Sequence, residues 1–296
     1  MCRAAGPVAR APNVAEGGSV EVTFWGVRGS IACPGPETNV YGGNTSCVEV
    51  QCGDAADGGG RVILDAGTGI RPLGVALLGG GAPVDADILL SHTHIDHIVG
   101  LPFFGPAYCP DSMLRLWAGH LLPERKLADA LCAMMVDPLF PIPMDVMVAA
   151  KSFNDFHAGE TFDLACGATV RTCALNHPNG ATGYRIEQDG RAICYVTDTE
   201  HIEGTHDENI LALIQGADLF IYDTTYTDEE YPGHVGWGHS TWQEGAALAE
   251  IAKVGTYVPF HHDPSHDDAA MAQIEKEAKD RFANTVVARE GLTLTF

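Results

Sequence analysis

Basic residues are scarce in this 296-residue chain: Lys and Arg number 17 against 39 Asp and Glu, a net charge of −22. Such a surface repels polyanions over a Debye length and argues against gripping long nucleic acid through phosphate contacts. A small anionic substrate stays compatible, because bound divalent cations would dominate the local field. No apolar run reaches the length of a membrane span. The first 18 residues hold two arginines but no continuous apolar stretch, so they read as a flexible tail rather than a secretory signal. No CxxC pair occurs among the nine cysteines, which excludes a cysteine-rich zinc site and predicts reduced, mostly buried thiols in a cytoplasmic protein. Low-complexity linkers and close internal repeats are also missing.

What is present reads as one α/β domain over 19–296. Alternating or wholly apolar runs predict strands at 19–30, 44–51, 61–67 and 86–91, with the 52–60 stretch CGDAADGGG as a hairpin turn. Further strands are expected at 161–176, 182–188, 191–198, 218–223 and 256–260. Helices are expected within 123–136, over 207–217, from about Ser240, and toward the C-terminus. Two β-rich halves with helices outside predict a four-layer αββα sandwich. Residues 101–160 are rich in proline, aromatics and methionine; they read either as an insertion over the site or at a subunit contact, or as ordinary loop packing.

Chemistry concentrates directly after the apolar run 86–91. His92 and His94 lie two apart, so an extended backbone projects both to one side, where they can share one metal. Asp96 and His97 follow as the chain enters a helix and can turn toward a second metal. Four strong ligands within six residues suit Zn, Mn or Fe.

HTHIDH (92–97) resembles the HxHxDH signature of the metallo-β-lactamase superfamily, and the resemblance runs across nearly the whole chain from about residue 20. It implies that His92, His94 and His177 (in NHP) hold one divalent ion, and that Asp96, His97 and the last histidine hold a second. Asp198 (in VTDTE) would bridge them, opposite a nucleophilic hydroxide, with Asp65 (in LDAGTGI) orienting a ligand from behind. In PFHHDPSH the resemblance favours His261 over His262; neighbours in a strand point to opposite faces, so only one should bind.

Three segments are similar to the phosphodiesterase branch that includes cyclic phosphodiesterases and tRNA 3′-processing endonucleases: 25–50, IYDTTYTDEEY (221–231) and GHSTWQEGAALA (238–249). There His239 would meet the substrate phosphate, paired with Asp223 where the branch often carries Glu; the plainer alternative is a histidine beside a helix whose N-cap is Ser240. Arg28 and Asn44, in loops after early strands, are candidate substrate contacts or ordinary turn residues. Trp237 could stack on a base or belong to the core. His120, His157, His201, His206, His234 and His266 are expected to be non-ligands. The implied function is hydrolysis of a small phosphodiester such as a cyclic nucleotide, by a homodimeric enzyme with two divalent ions per chain. The alternatives are a tRNA 3′-processing endoribonuclease, a lactam or thioester hydrolase, and a ligand-holding protein without turnover.

Overall fold

The computed structural model describes residues 19–53 and 60–296; the tail expected at 1–18 and the tip of the 52–60 turn lie outside them. The strands are β1 (Val20–Gly26), β2 (Cys47–Cys52), β3 (Gly60–Leu64), β4 (Asp85–Leu90), β5 (Met113–Ala118), β6 (Ala150–Asp155), β7 (Thr161–Asp163), β8 (Thr169–Leu175), β9 (Ala181–Gln188), β10 (Arg191–Val196), β11 (Leu219–Asp223), β12 (Thr256–Phe260) and β13 (Thr293–Thr295). The helices are α1 (Ile70–Gly79), α2 (Ile95–Ile98), α3 (Leu127–Met134), α4 (Glu208–Ile214), α5 (Trp242–Ala252) and α6 (Asp268–Arg281).

Two sheets form, one in the order β13-β1-β2-β3-β4-β5-β6 and one in the order β12-β11-β10-β9-β8-β7. Strand alternation explains how they stack. Val62, Leu64 and Leu89 of the first sheet meet Tyr195, Ile221 and Val258 of the second in an inter-sheet core. The alternate residues Ile63, Ile88 and Leu90 face outward against Ile70 and Leu73 of α1 and Leu127 and Leu131 of α3. On the far side Cys194, Phe220 and Tyr222 pack under α4 and α5. Both faces of the central strands are therefore apolar, as a buried parallel strand requires. The result is the αββα order expected from the sequence.

Residues 101–160 contribute two strands to the sandwich. Their β5 and β6 extend the first sheet in parallel register beyond β4. Their prolines fall in the turns between these strands, and Arg115, Lys151 and Asn154 gave them a polar look that masked the alternation. The strand expected at 161–176 is instead a hairpin, because Leu164 to Ala168 turn the chain between β7 and β8.

β3 through β6 run parallel, as do β10 through β12. The carboxyl ends of both parallel blocks open at one edge of the sandwich, the place where open α/β sheets bind ligands.

Candidate metal centre

Strand ends deliver most of the functional side chains, while Asp96 and His97 lie in α2 and His239 precedes α5. Asp65 follows β3, Ser91 and His92 follow β4, Asp198 lies two residues past β10, Asp223 ends β11, and His261 follows β12. Asp65, Asp198 and His261 all adopt left-handed backbone, with φ of 61°, 55° and 62°. Such conformations cost non-glycine residues about 1–3 kcal/mol each and persist where surrounding structure fixes them. Here they turn the side chain into the cleft at the point where the strand stops.

Two donor clusters result. In the deeper one, His97 Nε2 lies 3.1 Å from Asp96 Oδ2 and 3.2 Å from Asp198 Oδ2. His261 Nε2 lies 3.5 Å from Asp96 Oδ2, 3.4 Å from Asp198 Oδ2 and 3.3 Å from His97 Nε2. A tetrahedron with metal–ligand bonds of about 2.0–2.1 Å has edges of roughly 3.3–3.4 Å, so these four atoms fit one tetrahedral cation. The outer cluster is His92, His94 and His177. His177 Nε2 stands 3.1 Å from His94 Nδ1, and the Nε2 atoms of His92 and His177 are each 3.8 Å from Asp198 Oδ1. One oxygen of Asp198 thus faces each cluster.

The imidazoles are pre-oriented by what holds their other nitrogen. His97 Nδ1–H donates to Asp65 Oδ2 at 2.8 Å, and His177 Nδ1–H donates to the Gly238 carbonyl at 2.7 Å. His92 Nδ1–H donates to Ser91 Oγ at 3.1 Å, which donates on to Asp65 Oδ2. His261 Nδ1–H donates to Thr225 Oγ1 at 3.0 Å, which donates to Asp223 Oδ1. All four therefore turn Nε2 into the clusters. His92 Nε2 is fully buried and has no hydrogen-bond partner among the described residues, a costly arrangement unless a Lewis acid is met there. Asp65 also accepts from Ser91 N and Tyr195 Oη, so one buried carboxylate organises ligands of both clusters.

Electrostatics agree with a cation site. Burial works against charge on His97, but Asp198, Asp96 and Asp65 outweigh it and hold its imidazole well above the usual histidine range. Burial likewise opposes the Asp198 carboxylate, yet His261, His97 and His92 keep it well below the usual carboxylate range. His92 moves the other way: burial, then the nearby His97, depress it, leaving a neutral ring.

Beside the clusters, His239 Nδ1–H donates to Asp223 Oδ2 at 2.9 Å. Burial disfavours imidazolium here, but Asp223, then Asp198 and Asp96, lift the group to about 9. Ser240 is not the N-cap; Thr241 caps α5 by accepting from Glu244 N, while Ser240 bonds His201 and Tyr222. Gly238 has φ of 87°, and a Cβ there would lie 2.3 Å from His177 Nδ1, so only glycine lets this loop reach the ligand.

The structure brings together His92, His94, Asp96, His97, His177, Asp198, His261, Asp223 and His239. His262 points away, its Nε2 donating to the Ala288 carbonyl at 2.8 Å. Two substrate candidates are corrected. Arg28 is wholly buried, and its guanidinium donates to the carbonyls of Gly42, Asp263 and His266, clamping the β1–β2 loop to the β12–α6 loop from within. Asn44 spends its side-chain amide on Glu290. The reading of the sequence missed Ser91, Thr225 and Tyr195; Thr225 reaches His261 and Tyr195 reaches Asp65 only through long-range packing. It also missed that His120 Nε2 bonds Thr93 Oγ1 at 3.1 Å beside the outer cluster.

A family model described as beta-lactamase superfamily domain matches residues 60–262. A ribonuclease Z of Bradyrhizobium sp. (strain ORS 278) is 26% identical, over 80% of this chain and 91% of its own length. Among solved structures, the metallo-beta-lactamase fold protein YhfI from Bacillus subtilis aligns with a TM-score of 0.67 at 18% identity, covering 94% of this chain and 100% of its own. A diphosphatase from the PhnP family aligns with a TM-score of 0.66 at 19% identity, covering 94% and 97%.

Proposed function

The chain belongs to the beta-lactamase superfamily, and we propose that within it this protein is a metal-dependent phosphodiesterase acting on a small substrate such as a cyclic nucleotide. The carrying observation is Asp198, whose two oxygens each face a histidine cluster, with the His239–Asp223 pair alongside. His92, His94, His177 and Asp198 Oδ1 would hold one divalent ion; Asp96, His97, His261 and Asp198 Oδ2 would hold the other. Zinc is the first candidate from the nitrogen and oxygen donors and the tetrahedral spacing, with manganese or iron as the alternatives. Such ions supply Lewis acidity toward phosphoryl oxygens and a water acidic enough to attack near neutral pH.

The chain's own groups do the rest. Asp223 fixes the imidazole of His239 by its Nδ1–H, which leaves Nε2 to hydrogen-bond a phosphoryl oxygen or pass a proton to the leaving oxygen. Ser30 N donates to Asp96 Oδ2 at 2.9 Å and keeps that carboxylate turned toward the deeper cluster.

A ribonuclease Z relative supports phosphodiester chemistry and also a second reading, tRNA 3′-end processing. The charge of −22 favours the small substrate. Metal-loaded protein should turn over bis(p-nitrophenyl) phosphate and a 2′,3′- or 3′,5′-cyclic nucleotide, and leave precursor tRNA and nitrocefin intact. Cleavage of precursor tRNA alone would establish the second reading, and hydrolysis of nitrocefin alone would move the protein to lactam chemistry. A homodimer is part of the proposal, through the exposed Val136, Leu139, Val146 and Val148; a single monomer boundary in sedimentation velocity contradicts it.

A further inference from the structure

Large apolar side chains stand in solvent around the mouth of a site made almost wholly of histidines and carboxylates. Trp237 is 62% exposed, Ile31 64% and Ile95 57%. Each is chain-adjacent to a group that builds the centre. Ile31 follows Ser30, which donates to Asp96; Ile95 lies between His94 and Asp96; Trp237 precedes Gly238, which anchors His177. Trp237 is therefore not a core residue, and folding does not account for an indole left in water there.

The loop that shows it is braced. Glu200 Oε2 accepts from Gly236 N at 2.7 Å and Gly238 N at 2.8 Å, and Trp237 N donates to the His234 carbonyl. A continuous aromatic wall then leads inward. The Trp237 ring meets His234 edge-on at 5.0 Å, His234 stacks on Tyr226 at 4.2 Å, and Tyr226 meets His239 edge-on at 6.1 Å. Trp237 and His239 are two residues apart, so their Cα atoms lie within about 7.6 Å.

We infer that Trp237 is the specificity platform of the site: it stacks a nucleobase one nucleoside away from the phosphorus, so that the substrate is a nucleobase-bearing phosphodiester rather than a bare sugar phosphate. This rests on the phosphodiesterase reading above. An indole face stacks any base with little sequence preference, and Ile31 and Ile95 supply further apolar rim close to the metal ligands. The acidic chain offers little to a long polyanion, which confines the ligand to mononucleotide or dinucleotide size.

The test is calorimetric titration of the full-length, metal-loaded protein with adenosine 5′-monophosphate and with ribose 5-phosphate, which share a phosphate on the same sugar and differ in the base. Wild type should bind the nucleotide about tenfold more tightly or better. Trp237→Ala should erase that advantage while leaving ribose 5-phosphate binding unchanged, and Trp237→Phe should keep most of it. Equal affinities in wild type, or an advantage that survives Trp237→Ala, overturn the inference and leave the phosphodiesterase reading standing. If neither ligand nor inorganic phosphate binds, the phosphodiesterase reading falls, and the platform falls with it.

Discussion

His239 is the residue on which the two roles of the cleft, holding ions and moving protons, can be separated. It touches Asp223 at 2.9 Å and lies 3.9 Å from Asp198, outside both donor tetrads. His239→Ala should lower kcat by about 10²–10⁴ while metal content by elemental analysis stays at the wild-type level; loss of metal in that variant would make His239 a ligand instead. Four candidate ligands, His92, His94, Asp96 and His97, were legible in sequence because HTHIDH packs them where a strand passes into a helical turn, whereas His177, Asp198 and His261 came only from the family resemblance. Arg28 was misread for the opposite reason. A loop arginine looks like a substrate contact until tertiary structure shows three backbone carbonyls from positions 42, 263 and 266 closing on it.

At the scale of elements, the site depends on strand ends and the short turns that follow them. Thr225, two residues past β11, joins His261 at the end of β12 to Asp223, and so ties the deeper ligand cluster to the His239 pair. Thr225→Val removes both bonds at nearly constant volume. It should weaken metal affinity by about 10–100-fold, as measured by competition with a chelator; an unchanged affinity would show that packing alone sets the His261 ring. The central strands β3, β4, β10, β11 and β12 were legible because both their faces are apolar. β5, β6 and the three-residue β13 were not: they lie at or near the edge of the first sheet, carry polar residues, and exist only through pairing partners distant in sequence. The same limit hid the hairpin between β7 and β8, where Gly167 takes a φ of 87°.

Across the whole molecule, the candidate ligands at the open edge come from both sheets, beside direct bonds such as Tyr195 Oη to Asp65 and Tyr184 Oη to the Leu90 carbonyl. His92, His94, Asp96 and His97 come from the first sheet side; His177, Asp198 and His261 come from the second. Cations shared between them would bind the folded sandwich and not the unfolded chain, so occupancy would stabilise by about 2.7 kcal/mol at a hundredfold excess of free ion over Kd. Chelation should lower Tm by several degrees with secondary structure retained by circular dichroism, and re-addition of metal should restore it. An unchanged Tm in a protein shown to have lost its metal would mean that the inter-sheet core alone sets stability. No helix among the described residues is long and apolar enough to cross a membrane. The measurement that bears most directly on the account is a stoichiometric titration of metal-free protein with zinc or manganese, followed by hydrolysis of bis(p-nitrophenyl) phosphate. Activity should climb to a plateau at two ions per chain, and Asp198→Asn should abolish it. Full turnover without metal, or none at two bound ions with any phosphodiester offered, would contradict the shared-carboxylate centre as the source of function.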